Sequence, residues 1–240
     1  MKSRLSSSTE DYLKTIYAFT EWQDTPITPS QLAARLGVAN SSVSEMVRKL
    51  KDLGLVDHRP YGAVRLTEEG QRVALTMVRR HRLLETFLVT ELGYGWDEVH
   101  VEAELLEHAV SDLFVERLDA KLGRPSHDPH GDPIPTGSGH VPRIEAHRLD
   151  ELDPGHEGTI TRISDENPEL LRYLAGERIE LGTDLTVVRR KPFGGPLVIR
   201  LGHGEAARDF DVAVEVGDAV WVHSDRTHPG CTLEQTDTTD

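Results

Sequence analysis

Apolar residues recur at helical spacing through the first half of the chain, and past about Glu151 the pattern changes to short β-like runs. Leu13, Ile16, Tyr17 and Thr20 set a first helix over Ser8–Glu21, with Ser8 as its cap and Asp11 at the capping-box position. Thr28-Pro29-Ser30-Gln31 opens a second helix with a cap, a proline at the first position and a capping-box glutamine, and Gly37 closes it. A third helix begins near Asn40 and Ser41, turns Val43, Met46, Val47, Leu50 and Leu53 inward and stops at Gly54. Leu55–Arg59, the turn Pro60-Tyr61-Gly62 and Ala63–Thr67 read as a short hairpin. Thr67 then caps a long helix to about Glu91, and Gly93-Tyr94-Gly95 breaks it. Asp97 can cap a further helix over 98–122, whose apolar stripe is Val99, Ala103, Leu106, Val110, Leu113 and Leu118.

Residues 123–150 are rich in Pro, Gly, His and Asp, the composition of a linker. His127 and His130 within it are expected on the surface. Beyond it, strands are expected at Gly158–Ile163, Asp184–Arg190, Leu197–Leu201 and Asp218–His223, with one short helix at Pro168–Ala175. That pattern suits a small half-open barrel of SH3-like type. The fold expected is mainly α with a C-terminal β domain. A winged helix-turn-helix is expected over 1–75, a helical domain over 76–140, a linker over 141–150, an SH3-like domain over 151–228 and a disordered tail over 229–240.

Composition narrows the function. No apolar run approaches the roughly 18 residues of a membrane span, and the N-terminal stretch lacks an apolar signal-peptide core. The single cysteine, Cys231, excludes an intramolecular disulfide and suits a reducing cytoplasm. A net charge of −14 argues against nucleic acid until the chain is divided: residues 1–75 carry 10 Lys/Arg against 9 Asp/Glu, so the acidity lies in the remainder. Three helices and a hairpin make a DNA reader whose third helix enters the major groove. Its exposed face offers Ser41, Ser42, Ser44, Glu45, Arg48 and Lys49, and the hairpin adds Arg59 and Arg65 with His58 and Tyr61. A near-neutral reader binds DNA weakly alone, because affinity follows the number of phosphates neutralised. Binding should therefore depend on dimerisation and on a switch.

A candidate for the switch stands at His100-Val101-Glu102-Ala103-Glu104-Leu105-Leu106-Glu107-His108, where two imidazoles and two carboxylates recur at helical steps. Oxygen and nitrogen donors without sulfur make a site for a hard or borderline divalent cation. His81 and Glu85 form another i, i+4 pair on the long helix, and Asp11 adds a carboxylate near the start of the first. Each also has a plainer role, as a solvated helix face or a capping group.

The stretches Thr9-Glu10-Asp11-Tyr12-Leu13, Leu32–Leu55, Arg80-His81-Arg82-Leu83-Leu84-Glu85, Val99-His100 through Ser111-Asp112, and Asp132-Pro133-Ile134-Pro135 together resemble the diphtheria-toxin-repressor and manganese-transport-regulator family of metal-dependent repressors. The resemblance covers residues 5–140 closely and the C-terminal barrel, which is similar to a FeoA domain, more loosely. It implies a primary metal site of Asp11, Glu104, Glu107 and His108, and an ancillary site of His81, Glu85 and His100 with Asp165 and Glu166 as barrel donors. Iron-responsive members place Met and Cys where this chain has Asp11 and Glu104, so the resemblance implies Mn(II) first and Fe(II) second. Zn(II) or Co(II) is expected to bind in vitro. Also implied are a cytoplasmic homodimer, a near-palindromic double-stranded DNA operator, and no small-molecule substrate, membrane or enzymatic activity. The rivals are a carboxylate-bridged di-metal enzyme, and a small-molecule-responsive repressor with an incidental metal.

Overall fold

The structure, a computed structural model, describes residues 5–23, 25–59, 62–142, 145–193, 195–204 and 207–224. The turn residues Pro60 and Tyr61, and the tail with Cys231, lie outside the described residues. Two compact units divide the chain, residues 1–87, 101–126 and 134–142 in the first and 88–100, 127–133 and 143–240 in the second.

In the first unit α1 (Ser7–Glu21) is capped by Ser6, not Ser8: the Ser6 hydroxyl accepts from the Thr9 N–H at 3.4 Å. Asp11 therefore stands in the second turn rather than at the capping-box position. The reciprocal capping box of α2 (Pro29–Leu36) forms as expected between Thr28 and Gln31, and Gly37 ends the helix at φ 64°. The next helix, α3 (Asn40–Asp52), follows after three residues, which gives the helix-turn-helix. Leu53 faces outward, against expectation, because the helix has ended before it. Strands β1 (Val56–His58) and β2 (Val64–Leu66) pair antiparallel as the wing. Leu13, Ile16, Leu32, Val43, Leu50 and Val64 close one core with Ala74 and Val78 from α4 (Glu68–Leu92). The winged reader is thus packed on the start of the long helix, whose first turn Thr67 caps through the Gly70 N–H at 3.1 Å.

The helix expected over 98–122 is two helices, α5 (Val99–Glu107) and α6 (Asp112–Lys121). Ser111 interrupts it, its hydroxyl accepting from the Phe114 N–H at 3.2 Å as an N-cap. The break splits the expected stripe: Val99, Ala103 and Leu118 are buried and Leu113 is exposed.

The second unit holds a six-stranded antiparallel sheet of β3 (His147–Arg148), β4 (Glu157–Ile163), β5 (Asp184–Arg190), β6 (Leu197–Leu201), β7 (Arg208–Val212) and β8 (Val220–His223), ordered β3-β8-β4-β5-β6-β7. It is the SH3-like domain. α7 (Pro168–Gly176) and α8 (Val214–Ala219) add Leu171, Leu174 and Val216 to its core. Asp218 lies in α8 rather than in the last strand.

The Pro/Gly-rich stretch is not slack. In the second unit the Asp128 carboxylate accepts from the backbone N–H groups of His130 (2.8 Å) and Asp132 (2.9 Å), and the Ile163 N–H donates to the His130 carbonyl at 2.9 Å. His130 is fully buried, which corrects its expected surface position, and its Nε2 lies 2.7 Å from the Trp96 carbonyl. At Gly131, φ is +90° and a Cβ would stand 2.0 Å from the Thr161 carbonyl oxygen, so only glycine fits. In the first unit Ile134 is buried and Arg79 donates to the Pro135 carbonyl at 2.9 Å.

Candidate metal centre and nucleic-acid interface

Asp11, Glu107 and His108 each present a donor atom, all within 4.8 Å of one another. Asp11 comes from α1, Glu107 is the last residue of α5, and His108 follows in the turn before α6. The His108 Nε2 lies 2.7 Å from Asp11 Oδ1 and 3.5 Å from Glu107 Oε1. Glu107 is 1% exposed and Asp11 42% exposed, so the group reaches from the interior to solvent. Carboxylate and imidazole donors at this spacing, with no sulfur, fit a divalent cation of hard or borderline character.

Glu104, expected in the same set, stands apart. Its side chain is 52% exposed and one oxygen lies 3.7 Å from the ammonium of Lys14. That ammonium also lies 2.7 and 2.9 Å from the two oxygens of Glu107 and 3.4 Å from His81 Nδ1. Glu10, absent from the expected set, meets the other edge of the His108 ring, its Oε2 lying 3.0 Å from Nδ1. Its signal was available, since it adjoins Asp11 in Thr9-Glu10-Asp11.

His81 bridges two carboxylates, Nε2 to Glu85 at 2.9 Å and Nδ1 to Glu107 at 2.6 Å. Burial alone would lower its pKa, but the Glu85 charge and the hydrogen bonds to both acids outweigh burial and raise it. Glu107 moves the other way. Burial opposes its charge, yet the hydrogen bond from His81 and the nearby Lys14 ammonium hold its carboxyl below the usual range. In the second unit His100 Nδ1 lies 2.9 Å from Asp165 Oδ2. Glu166 is exposed, and its backbone N–H reaches the Ser164 hydroxyl at 3.4 Å. Asp165, one of the two barrel candidates, thus meets an expected donor.

On the reader, Ser41, Ser42, Ser44, Glu45, Arg48 and Lys49 of α3 are all exposed, as are Arg59 and Arg65 of the wing. Ser44 uses its hydroxyl within the helix, donating to the Asn40 carbonyl at 2.9 Å. The N-cap residue of α3 is Ala39, and no side chain caps the first turn. Its outward N–H groups suit phosphate.

A winged reader, a carboxylate–imidazole centre tied to its first helix and a small barrel define the class of metal-dependent DNA-binding regulators. Family models agree along the chain: "Iron dependent repressor, N-terminal DNA binding domain" matches residues 4–64, "Iron dependent repressor, metal binding and dimerisation domain" matches 67–136, and "FeoA domain" matches 147–216. The iron-dependent repressor IdeR of Mycobacterium tuberculosis is 31% identical over 229 residues, covering 88% of this chain and 96% of that protein. A solved manganese-dependent transcriptional repressor in complex with manganese is 50% identical with a TM-score of 0.86, over 90% of this chain and 99% of that one. The manganese regulator SloR is 35% identical with a TM-score of 0.75, over 90% of this chain and 97% of that one. The chain belongs to the diphtheria-toxin-repressor and manganese-transport-regulator family of metal-dependent transcriptional repressors.

Proposed function

We propose that this repressor is activated for operator binding by Mn(II), with a primary site of Asp11, Glu104, Glu107 and His108. The observation that carries the reading is the sulfur-free cluster of Asp11, Glu107 and His108 within 4.8 Å. Mn(II) accepts such oxygen-rich sets, whereas thiolates favour softer ions. The similarity to a manganese-dependent repressor at 50% identity supports the same choice. When bound, the ion supplies a double positive charge against which these carboxylates can gather.

Asp11 sits on the first helix of the reader, and Glu107 and His108 sit at the end of α5. Holding the three together fixes α1, and through the shared core α3, against the segment that follows α5. Arg48 and Lys49 then meet phosphates, Ser41, Ser42, Ser44 and Glu45 face bases or backbone at the start of the groove helix, and Arg59 and Arg65 lie along the flanking strand. Val101, Leu105, Leu113 and Phe114 leave apolar surface exposed on α5 and α6, where a second copy would cover it as a homodimer. Two readers would then address a near-palindromic operator. Operator DNA must tighten metal binding by the factor that metal tightens DNA. The pairs His81–Glu85 and His100–Asp165, with Glu166, are the further metal donors of this reading. The domain division at 1–75, 76–140 and 151–228, and a cytoplasmic location, belong to it too. No helix among the described residues is long and apolar enough to cross a membrane.

Operator-binding titrations at buffered free Mn(II), Fe(II), Zn(II) and Co(II) test the proposal. Mn(II) should support full operator binding, even though Fe(II), Co(II) and Zn(II) bind such donors at lower free concentration by the general affinity order, and Asp11→Ala should abolish the metal response while leaving the dimer intact. Metal-stimulated binding unchanged in Asp11→Ala would sink the assignment. The similarity to IdeR favours Fe(II) as the second reading, and operator binding activated by Fe(II) but not by Mn(II) would establish it.

A further inference from the structure

The turn that carries His108 leaves the aim of its ring to side-chain contacts. α5 ends at Glu107, and the Ala109 and Val110 N–H groups close the turn beyond it on the Leu106 carbonyl at 2.9 and 3.2 Å, which holds the backbone but not the rotation of the ring. Two adjacent residues of α1 clasp the ring from opposite edges, Glu10 Oε2 at 3.0 Å from Nδ1 and Asp11 Oδ1 at 2.7 Å from Nε2. Successive helix positions diverge by about 100°, which lets neighbouring carboxylates reach the two edges. Their surroundings differ: the Glu10 side chain is 14% exposed against 42% for Asp11. Glu10 is the more desolvated of the two α1 acceptors.

A neutral imidazole carries one N–H and one lone pair, and the partner of one nitrogen decides which is which. We propose that Glu10 is a positioning residue of the metal centre: by accepting the Nδ1–H of His108 it places the lone pair on Nε2, the nitrogen facing Asp11 and Glu107. Glu10 itself donates nothing to the ion. Its carboxylate fixes the ring's tautomer and rotation, as carboxylates behind metal-bound histidines do, and loss of such a partner typically costs about 10–100-fold in metal affinity. The inference rests on the reading of Asp11, Glu107 and His108 as a metal site and adds to it a residue of the reader helix.

The test uses the full chain, with Mn(II) affinity read from the electron paramagnetic resonance signal of the free ion. Nitrogen-15 histidine spectra of the Zn(II)-loaded chain supply a second readout. Glu10→Ala should weaken Mn(II) by about 10–100-fold. Glu10→Gln, whose amide oxygen still accepts an N–H, should recover most of that loss. In the wild type the spectra should show His108 coordinated through Nε2 with Nδ1 protonated, and Glu10→Ala should lose that single state. Wild-type affinity in Glu10→Ala overturns the proposal, and so does a Gln variant as weak as the Ala variant, which would leave charge alone as the contribution. Nδ1 coordination in the wild type overturns it without any variant. His108→Ala separates the two levels. If it leaves Mn(II) affinity unchanged the metal-site reading fails, whereas if it weakens Mn(II) while Glu10→Ala does not, only the role of Glu10 fails.

Discussion

The ion pair between Glu21 and Arg82 ties the last residue of the reader's first helix to α4, and its removal has a calculable cost. The guanidinium donates to Glu21 through two bonds of 2.9 and 2.7 Å, and the side chains are only 10% and 7% exposed. The Tyr17 hydroxyl adds a third contact to Glu21 at 3.3 Å. A two-bond charge pair so far from water behaves unlike a surface salt bridge, whose worth is about 0–1 kcal/mol. Glu21→Ala takes the paired carboxylate from a buried guanidinium and Arg82→Met takes the cation from a buried carboxylate, so each should destabilise the first unit by about 3–5 kcal/mol. Glu21→Leu with Arg82→Met removes both charges and keeps apolar volume, and should cost much less than the sum of the single losses. Urea denaturation of the metal-free chain, followed by circular dichroism, measures all of these variants with the matching Glu21→Leu single. Single losses under about 1 kcal/mol would place the pair with exposed salt bridges, and additive losses would show that the charges do not act together. Either result would refute the reasoning.

Two further outcomes concern the second unit. Gly131→Ala needs a residue at φ +90° and puts Cβ 2.0 Å from the Thr161 carbonyl. Strain of about 1–3 kcal/mol and overpacking of about 1–3 kcal/mol should together lower the melting temperature by several degrees, and a wild-type melting temperature would show that the 127–133 segment is not held against β4. Asp218 has its pKa raised above 3.8, by burial first and then by its hydrogen bond with Asp150 and that residue's charge. Because the folded state disfavours the ionised form, its contribution is fully favourable below 3.8 and is lost as pH rises through the folded value. Asp218→Asn should therefore melt higher than wild type at pH 7, the gain vanishing in acid; an equal shift at both pH values would contradict the assignment.

The sequence is most legible where a local rule and a long-range need agree. Thr28 and Gln31 form their capping box, Asp184–Arg190 and Leu197–Leu201 are strands at the expected bounds, and the reader's apolar positions close one core. Legibility fails where two local rules compete. Ser6 and Ser8 are both acceptable caps, and a cap at Ser8 would give Asp11 a capping duty that it does not have. Ser111 is a cap inside an otherwise continuous helical pattern; it splits the helix and leaves His108 in a turn. β7 escapes notice because Arg208, Asp209 and Asp211 alternate with only two apolar residues. His130 reads as a linker histidine until the long-range bond from Ile163 buries its segment. At the metal centre, spacing alone groups Glu104 with Glu107 and His108, since all lie within one turn. The backbone sorts them differently, burying Glu107, leaving Glu104 half exposed and carrying His108 beyond the helix end. Helical periodicity therefore identifies which residues can be donors, but orientation comes from outside the helix, and here it comes from Glu10 and Asp11 on the reader. On the proposed metal centre, a histidine aimed by the DNA-binding domain would couple the two functions by construction: a displacement of α1 that disturbs the reader would also misalign the donor set.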